Sequence, residues 1–483
     1  MNRKEETLDP DDWDEMNAFG KQMLKEMMQY LETIRTQPYI PTTEESKKAI
    51  LTPLPKNGDG EEKVYQVFKE HIIPHTVKKV RPDFWGVVQG TGSPFGMLTD
   101  MLLSGINHGS LGMMFINHHT IDWIKELLEY PEEAGGVFVS GGSEANFTGL
   151  AVARNIKAGI DVKAEGIQRI TKKMTLYCSE EAHDCLDRSV ELLGLGNEAL
   201  RWIPTNEKHQ IDVDVLEKRI HLDRENGYNP FCVIGTAGTV HTGAFDDLNA
   251  VADICEKENL WFHVDGAFGS WVKLSETHKH LADGLERADS VAVDLHKWIS
   301  MPYGIGCTLV KDRVAHFSTF VYGHDAEYLK TGMTELGDTL RNPLNLSLAL
   351  SRPDLGGKAY MLFRAYGKDK YARLIQQNVD QIYYLAELIR KEPHLEICAP
   401  VASNIVCFRY IHESLNEANT EKLNRLIMRE LWKINFWMIS DTTVKGRYML
   451  RACNVNHRSK YSDFDLLVER IKSIGETLAK EYI

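Results

Sequence analysis

Cysteine, long apolar runs and positive charge are all scarce in this sequence, and each shortage removes a class of protein. Eight cysteines in 483 residues are too few for a disulfide scaffold. No two stand as Cys-x-x-Cys, and Cys178 and Cys185 are the closest pair. They read as reduced, mostly buried thiols. No apolar run reaches the roughly 18 residues that a membrane helix needs. The opening MNRKEETLDPDDWDE lacks the apolar core of a signal peptide. A cytoplasmic chain with no membrane partner is therefore expected. The 56 Lys and Arg are outnumbered by 69 Asp and Glu, for a net charge of −13. That balance argues against nucleic acid as a partner. What remains is ordinary globular composition, 43% hydrophobic and 26% charged, with length for two or three domains.

Residues 11–35 read as one amphipathic helix. Met16, Phe19, Met23, Met27, Tyr30 and Ile34 recur at steps of three and four, with Asp9 or Asp11 as the cap. Proline-containing loops follow, QPYIPTTEES and LTPLPKNGDG, so the helix cannot continue into a long bundle. Its apolar stripe needs a cover, from a partner subunit or from the chain's own body. From residue 86 to 366, short apolar runs end in Gly-rich turns and lead into helical stretches. GGVFVSGGSEANFTGLAVARNIKA, TLYCSEEAHDCLDRSVELLG, FCVIGTAGTV, LWFHVDGAFG and SVAVDLHKWIS are the clearest. This alternation predicts an α/β domain with a mainly parallel sheet flanked by helices. Residues 367–483 change pattern and predict a small C-terminal α+β domain. Residues 1–85 form a separate N-terminal helical segment.

Three features carry chemistry. In SGGSEANFTG, Gly142 and Ser143 open a helix directly after a strand, and helix N-termini bind phosphate. Alone, the motif is also what a plain strand-to-helix turn looks like. Asp265 ends the apolar run LWFHV, where a carboxylate is costly without a cation; a helix cap would explain it too. Lys297 follows SVAV, and a buried lysine is a potential nucleophile, although many lysines there reach solvent. Together the three match the attachment points of pyridoxal 5′-phosphate: a phosphate cup, a carboxylate for the ring nitrogen and a lysine for the Schiff base. His183 in SEEAHDC stands where a residue could stack on the ring.

The chain resembles the group II pyridoxal-phosphate-dependent amino-acid decarboxylases, the aromatic-L-amino-acid decarboxylase superfamily of fold type I, in a bacterial branch. The resemblance runs from about residue 80 to the C-terminus. It rests on FWGVVQGTGSP, GVFVSGGSEAN, SEEAHDC, GTAGTVHTGAFDDL, LWFHVDGAFG, DLHKW, AEYLK, LSRPDLGGK and NIVCFRY. It implies a seven-stranded-type sheet and a homodimer with the active site near the interface, packed partly through residues 11–35. It implies that Lys297 bears the cofactor, Asp265 partners the pyridine nitrogen, His183 stacks on the ring and Ala267 lies on the opposite face. Gly142, Ser143 and His296 would surround the phosphate, with Thr239 beneath the cofactor. Arg352 and Arg451 match arginines near the site, either of which could meet the substrate carboxylate. Tyr328, on a loop punctuated by Gly323, Gly332 and Gly337, matches the proton donor to Cα; a Phe there would suggest an aldehyde synthase instead.

Two departures from the family pattern stand out. Many relatives carry Asn-Pro-His-Lys where this chain has Asp294-Leu295-His296-Lys297; a carboxylate beside a phosphate is repelled, so Asp294 is expected to point away. Residues 107–123 are shorter than their counterpart and match poorly. The expected reaction is decarboxylation of an L-amino acid to the amine and CO2. Phe84, Trp85 and Trp123 favour an aromatic substrate, while Val87 and Val88 stand where animal relatives have aromatics. A glutamate-type or aliphatic substrate, or another lyase or transaminase chemistry on the same cofactor, is the alternative. No metal site is expected: His118, His119 and Asp122 read as structural or pocket residues, and His278 and His280 as an exposed loop.

Overall fold

The computed structural model describes residues 7–76, 78–107, 114–321, 339–433 and 439–480. Short β-rich apolar runs become strands buried on both faces: β1 (Gly135–Val139), β2 (Met174–Ser179), β4 (Asn229–Thr236), β5 (Trp261–Asp265), β6 (Ser290–Asp294) and β7 (Gly306–Val310). With β3 (Leu200–Ile203) they form one seven-stranded sheet in the order β1-β7-β6-β5-β4-β2-β3. The run from β3 to β6 is parallel, and β7 is antiparallel to both its neighbours, β6 and β1.

Strand side chains alternate between two apolar layers, as period-2 geometry requires. Tyr177, Val233, Phe262, Val291 and Leu309 share a core with Ile121, Ile220 and Leu248. Leu176, Cys178, Cys232, Ile234 and Trp261 share the opposite core with Leu150, Val152, Leu186 and Val190. Helices therefore cover both faces, as the residue pattern predicts. The principal helices of this part of the chain are α1 (Trp13–Glu32), which lies outside these two cores, α2 (Pro94–Ile106), α3 (Met114–Leu127), α4 (Gly142–Lys157), α5 (Cys185–Leu192), α6 (Val213–Glu225) and α7 (Leu248–Glu258). The helical span α8 (Leu355–Lys391) breaks at Gly367, whose φ of 70° lies outside helical geometry.

Beyond it, β8 (Leu395–Ile397), β9 (Ile405–Tyr410), β10 (Ser440–Val444) and β11 (Arg447–Cys453) form a four-stranded antiparallel sheet in the order β10-β11-β9-β8. Lys445 and Gly446, both at positive φ, close the β10–β11 hairpin, the geometry that suits a two-residue turn. Helices α9 (Glu417–Lys433) and α10 (Tyr461–Ala479) pack on this sheet around Phe408, Ile427 and Phe464.

The N-terminal helix is present but capped differently: Asp12, not Asp9 or Asp11, accepts the amides of Asp14 and Glu15 at 2.8 and 3.0 Å. No residue of α1 is fully buried, and Met23 is 40% exposed. All eight cysteines are free. No helix among the described residues is long and apolar enough to cross a membrane.

Two fully buried histidines tie stability to pH. Burial holds His263 and His316 at about 4 each, against roughly 6.5 in an unfolded chain. They are neutral in the fold, so their contribution is whole above the unfolded value and is lost as pH falls towards 4. Asp246, pushed up to about 6 by burial, acts in the opposite sense over that window. Burial holds His457 at about 4 as well, so three histidines outweigh one aspartate and unfolding free energy should fall with a net slope of about two protons between pH 6 and 4. His316→Gln should flatten that slope and Asp246→Asn should steepen it. Urea unfolding midpoints at several pH values read both effects; parallel pH profiles for all three proteins would contradict this assignment.

Candidate active site

In an open parallel sheet, the crevice lies outside the carboxyl ends of the strands. Here β5 ends at Asp265, and Lys297 follows three residues after the end of β6 at Asp294. The two strands are paired side by side, Asp265 opposite Ala292. Helix α4 starts at Gly142, immediately after β1, so its N-terminal amides open towards the same crevice. Gly142 is needed there for space. A Cβ on it would come 2.8 Å from Asp294 Oδ2 and 3.2 Å from the Ala267 Cβ. That closeness also shows that the turn, Ala267 and Asp294 meet at one point.

Lys297 Nζ lies 2.8 Å from Asp294 Oδ2, and its side chain is 21% exposed. Burial alone would lower its pKa, but the Asp294 carboxylate outweighs that and, with Asp265 helping, raises it. Asp294 is 1% exposed, and neither of its carboxylate oxygens has a hydrogen-bond donor in good geometry among the described residues, so the Lys297 contact is an ion pair. This corrects the expectation that Asp294 points away: it faces the α4 turn, held there by the lysine three residues on. His296 is buried, with Nδ1 2.8 Å from the Ile305 carbonyl oxygen. The Ile305 amide also lies 3.3 Å from that Nδ1, so both ends of the Ile305 backbone engage it, while Nε2 lies 3.9 Å from Asp294. Burial lowers the His296 pKa, partly offset by Asp294.

Asp265 is 6% exposed and accepts the Ala267 amide at 3.1 Å. Ser143 and His183 are exposed at the mouth, and His183 Nδ1 accepts the Cys185 amide at 3.0 Å. Beneath the mouth lies a network that inspection of motifs missed. Thr239 Oγ1 is 3.0 Å from Thr242 Oγ1, which donates to Glu181 Oε2 at 2.9 Å. The other Glu181 oxygen pairs with His209. His241, also missed, bonds Thr442 at 2.9 Å, and burial lowers its pKa. The only sequence signal for this network is the density of polar residues in GTVHTG and SEEAHDC.

The other expected site residues have their own partners, and Trp85 is out of reach of the site. Trp85, expected to touch substrate, is fully enclosed: it stacks on Phe464 with centroids 4.4 Å apart and donates to Ser459 Oγ at 2.9 Å. It is a core residue of the small sheet's layer, so substrate cannot reach it. Phe84 is buried too, and Trp123 stacks on Tyr360. The aromatic cluster that favoured an aromatic substrate therefore does not line one pocket. Arg352 donates to the Phe138 carbonyl and Ser347 Oγ, both at 2.9 Å, and to the Pro343 carbonyl. Arg451 donates to the Gly86 carbonyl at 3.1 Å and Ser440 Oγ at 2.9 Å. Asp122 pairs with Arg341 and Lys125. Tyr328 and its loop glycines Gly323, Gly332 and Gly337 lie outside the described residues.

The family model for the pyridoxal-dependent decarboxylase conserved domain matches residues 44–411. An aromatic-L-amino-acid decarboxylase of Bacillus atrophaeus is 29% identical over 97% of this chain and 97% of its own length. An L-2,4-diaminobutyrate decarboxylase of Acinetobacter baumannii is 28% identical over 80% of this chain and 79% of its own. Among solved structures, Oryza sativa TDC with PLP and tryptamine superposes with a TM-score of 0.90 at 22% identity. That match covers 98% of this chain and 100% of the other.

Proposed function

This chain belongs to the pyridoxal-dependent decarboxylase family, and from that premise we propose that it converts an aromatic L-amino acid to its amine and CO2. As a family member it is a pyridoxal-5′-phosphate-dependent amino-acid decarboxylase. The observation that carries the site assignment is the meeting of the α4 turn, Asp265 and the Asp294–Lys297 pair at neighbouring strand ends. The residues present fit the cofactor. The turn has no room for a side chain at Gly142, which leaves backbone amides for a phosphate, and a lysine and a carboxylate stand beside it.

When bound, the cofactor supplies an electron sink for the bond between Cα and the carboxyl group. The chain's own residues do the rest. Gly142, Ser143 and His296 hold the phosphate at the helix N-terminus. Asp265, inside the fold at a strand end, keeps the proton on the ring nitrogen. Lys297, beside the turn, would hold the cofactor through its Nζ. His183 and Ala267 would flank the cofactor ring, and Thr239, steadied through Thr242 and Glu181, would support it. Tyr328 delivers the proton to Cα after CO2 has left. Arg352 and Arg451 hold the walls of the site through backbone carbonyls, and one of them receives the substrate carboxylate. The domain reading stays a large cofactor domain (86–366) and a small domain (367–483), and the break at Gly367 in α8 supports a boundary there.

The aromatic preference rests on the near full-length match to the Bacillus atrophaeus aromatic-L-amino-acid decarboxylase. The diaminobutyrate decarboxylase at similar identity supports a second reading, a short aliphatic substrate. Steady-state kinetics on L-tryptophan, L-tyrosine, L-phenylalanine, L-glutamate and L-2,4-diaminobutyrate separates them. We expect kcat/KM for one aromatic to exceed the others by at least about tenfold, some 1.4 kcal/mol of transition-state preference. A higher value for diaminobutyrate or glutamate would replace the aromatic reading.

We also infer a cytoplasmic homodimer. What supports the dimer is apolar surface that a single chain leaves open: Trp13 at 62%, Met101 at 52%, Ile106 at 62% and Phe115 at 71% exposure. Such surface is worth about 25 cal/mol per Å2 once covered. Deleting residues 1–40 should give monomeric or insoluble protein in sedimentation. A deletion variant that remains a fully active dimer would remove α1 from the interface.

A further inference from the structure

We propose that Asp294 is a positioning residue that stores Lys297 as an ammonium at the floor of the α4 turn, so that cofactor capture waits on the loss of that proton. The inference rests on the reading of Lys297 as the cofactor lysine and adds a role for its neighbour. Three observations carry it. The carboxylate is sealed in, 1% exposed, wedged where a Cβ on Gly142 would lie 2.8 Å from Oδ2 and one on Gly306 would lie 2.6 Å from Oδ1. Its partner at ion-pair distance is Lys297, at 2.8 Å, and a buried carboxylate without a cation is costly. The remaining groups around the pair do not compete for that role. His296 Nε2 is 3.9 Å from Asp294, and its Nδ1 is engaged by Ile305. Asp265, on β5, adds a second negative charge facing Lys297 and reinforces the ammonium. The Cys185 and Cys453 thiols are held neutral by burial, Cys185 at about 12 and Cys453 at about 11. Lys358, on α8, is engaged by Asp100 at 2.8 Å.

The step that this storage governs balances simply. The ammonium gives a proton to solvent, and the amine nitrogen then attacks the aldehyde carbon. A C=N bond forms, and the aldehyde oxygen leaves as water. Only the neutral amine attacks, so an ion pair that favours the ammonium slows capture at neutral pH and makes it steeply pH-dependent.

The test is the rate of C=N absorbance formation on the full-length chain freed of cofactor by hydroxylamine. It is followed from about pH 6 to about pH 10 with pyridoxal 5′-phosphate and, separately, with pyridoxal. The wild-type rate should climb about tenfold per pH unit with no plateau below the ordinary lysine range near 10.4. Asp294→Asn should plateau at lower pH and react about tenfold faster at pH 7 with both aldehydes. A wild-type plateau already below pH 8 would overturn the proposal, even if the variant fails to fold. So would identical profiles for the two proteins, or an acceleration confined to the phosphorylated aldehyde, which would mean that Asp294 acts on phosphate and not on the lysine. Lys297→Ala keeps the two readings apart. A C=N band that persists in it removes Lys297 as the cofactor lysine, whereas its loss together with unshifted profiles removes only the storage role.

Discussion

Lys297→Ala should lower amine production by roughly a thousandfold or more, because a tethered amine at high effective concentration is lost. The visible band of the lysine-bound cofactor should vanish with it. The same substitution has a second, independent consequence. It strips Asp294 of its cation while leaving the carboxylate 1% exposed. An uncompensated buried charge costs about 3 kcal/mol, so the cofactor-free variant should melt well below the wild-type chain. Adding Asp294→Asn to Lys297→Ala should recover most of that loss without recovering activity. Thermal melts of the four cofactor-free proteins give the coupling directly. A double variant no more stable than Lys297→Ala would mean that the 2.8 Å pair is not an energetic unit.

Tyr328→Phe should separate chemistry from binding. The sequence sets Tyr328 in a stretch punctuated by Gly323, Gly332 and Gly337, apart from the motifs assigned to the cofactor, so cofactor affinity and CO2 release should survive its loss. Amine yield should fall by about a hundredfold or more, the usual contribution of a positioned proton donor. Without that proton, carbon at Cα stays electron-rich and open to oxygen, which would release aldehyde, ammonia and peroxide under air. Product analysis under air and under nitrogen distinguishes the outcomes. Unchanged amine yield would transfer the proton donation to another group, with His183, exposed at the mouth, the first to examine.

The parallel sheet was legible because its strands are apolar runs with one charged residue at the end. Asp265 and Lys297 stand out against LWFHV and SVAV for the same reason. Asp294 was misjudged because repulsion from a phosphate was weighed without the lysine one turn away that neutralises it. Trp85 was misjudged for a different reason. Its neighbours in sequence belong to a motif near the site, but its ring partner Phe464 lies on α10, and no local pattern reveals a contact that distant. The Thr239–Thr242–Glu181–His209 network joins three separated segments, each ordinary when read alone. Element ends were less legible than elements: Asp12 caps α1 because its side chain, unlike those of Asp9 and Asp11, reaches the amides of Asp14 and Glu15.

The central claim is that Lys297, held by Asp294 at the end of β6, carries the cofactor of an amino-acid decarboxylase. Borohydride reduction of the purified holoenzyme, followed by proteolysis and mass spectrometry of the pyridoxyl peptide, tests it most directly. The structure predicts one reduced adduct per chain, on the peptide containing Asp294-Leu295-His296-Lys297, with the label on the lysine. A label on another lysine, such as the buried Lys358, or no stable adduct at all, would contradict the claim.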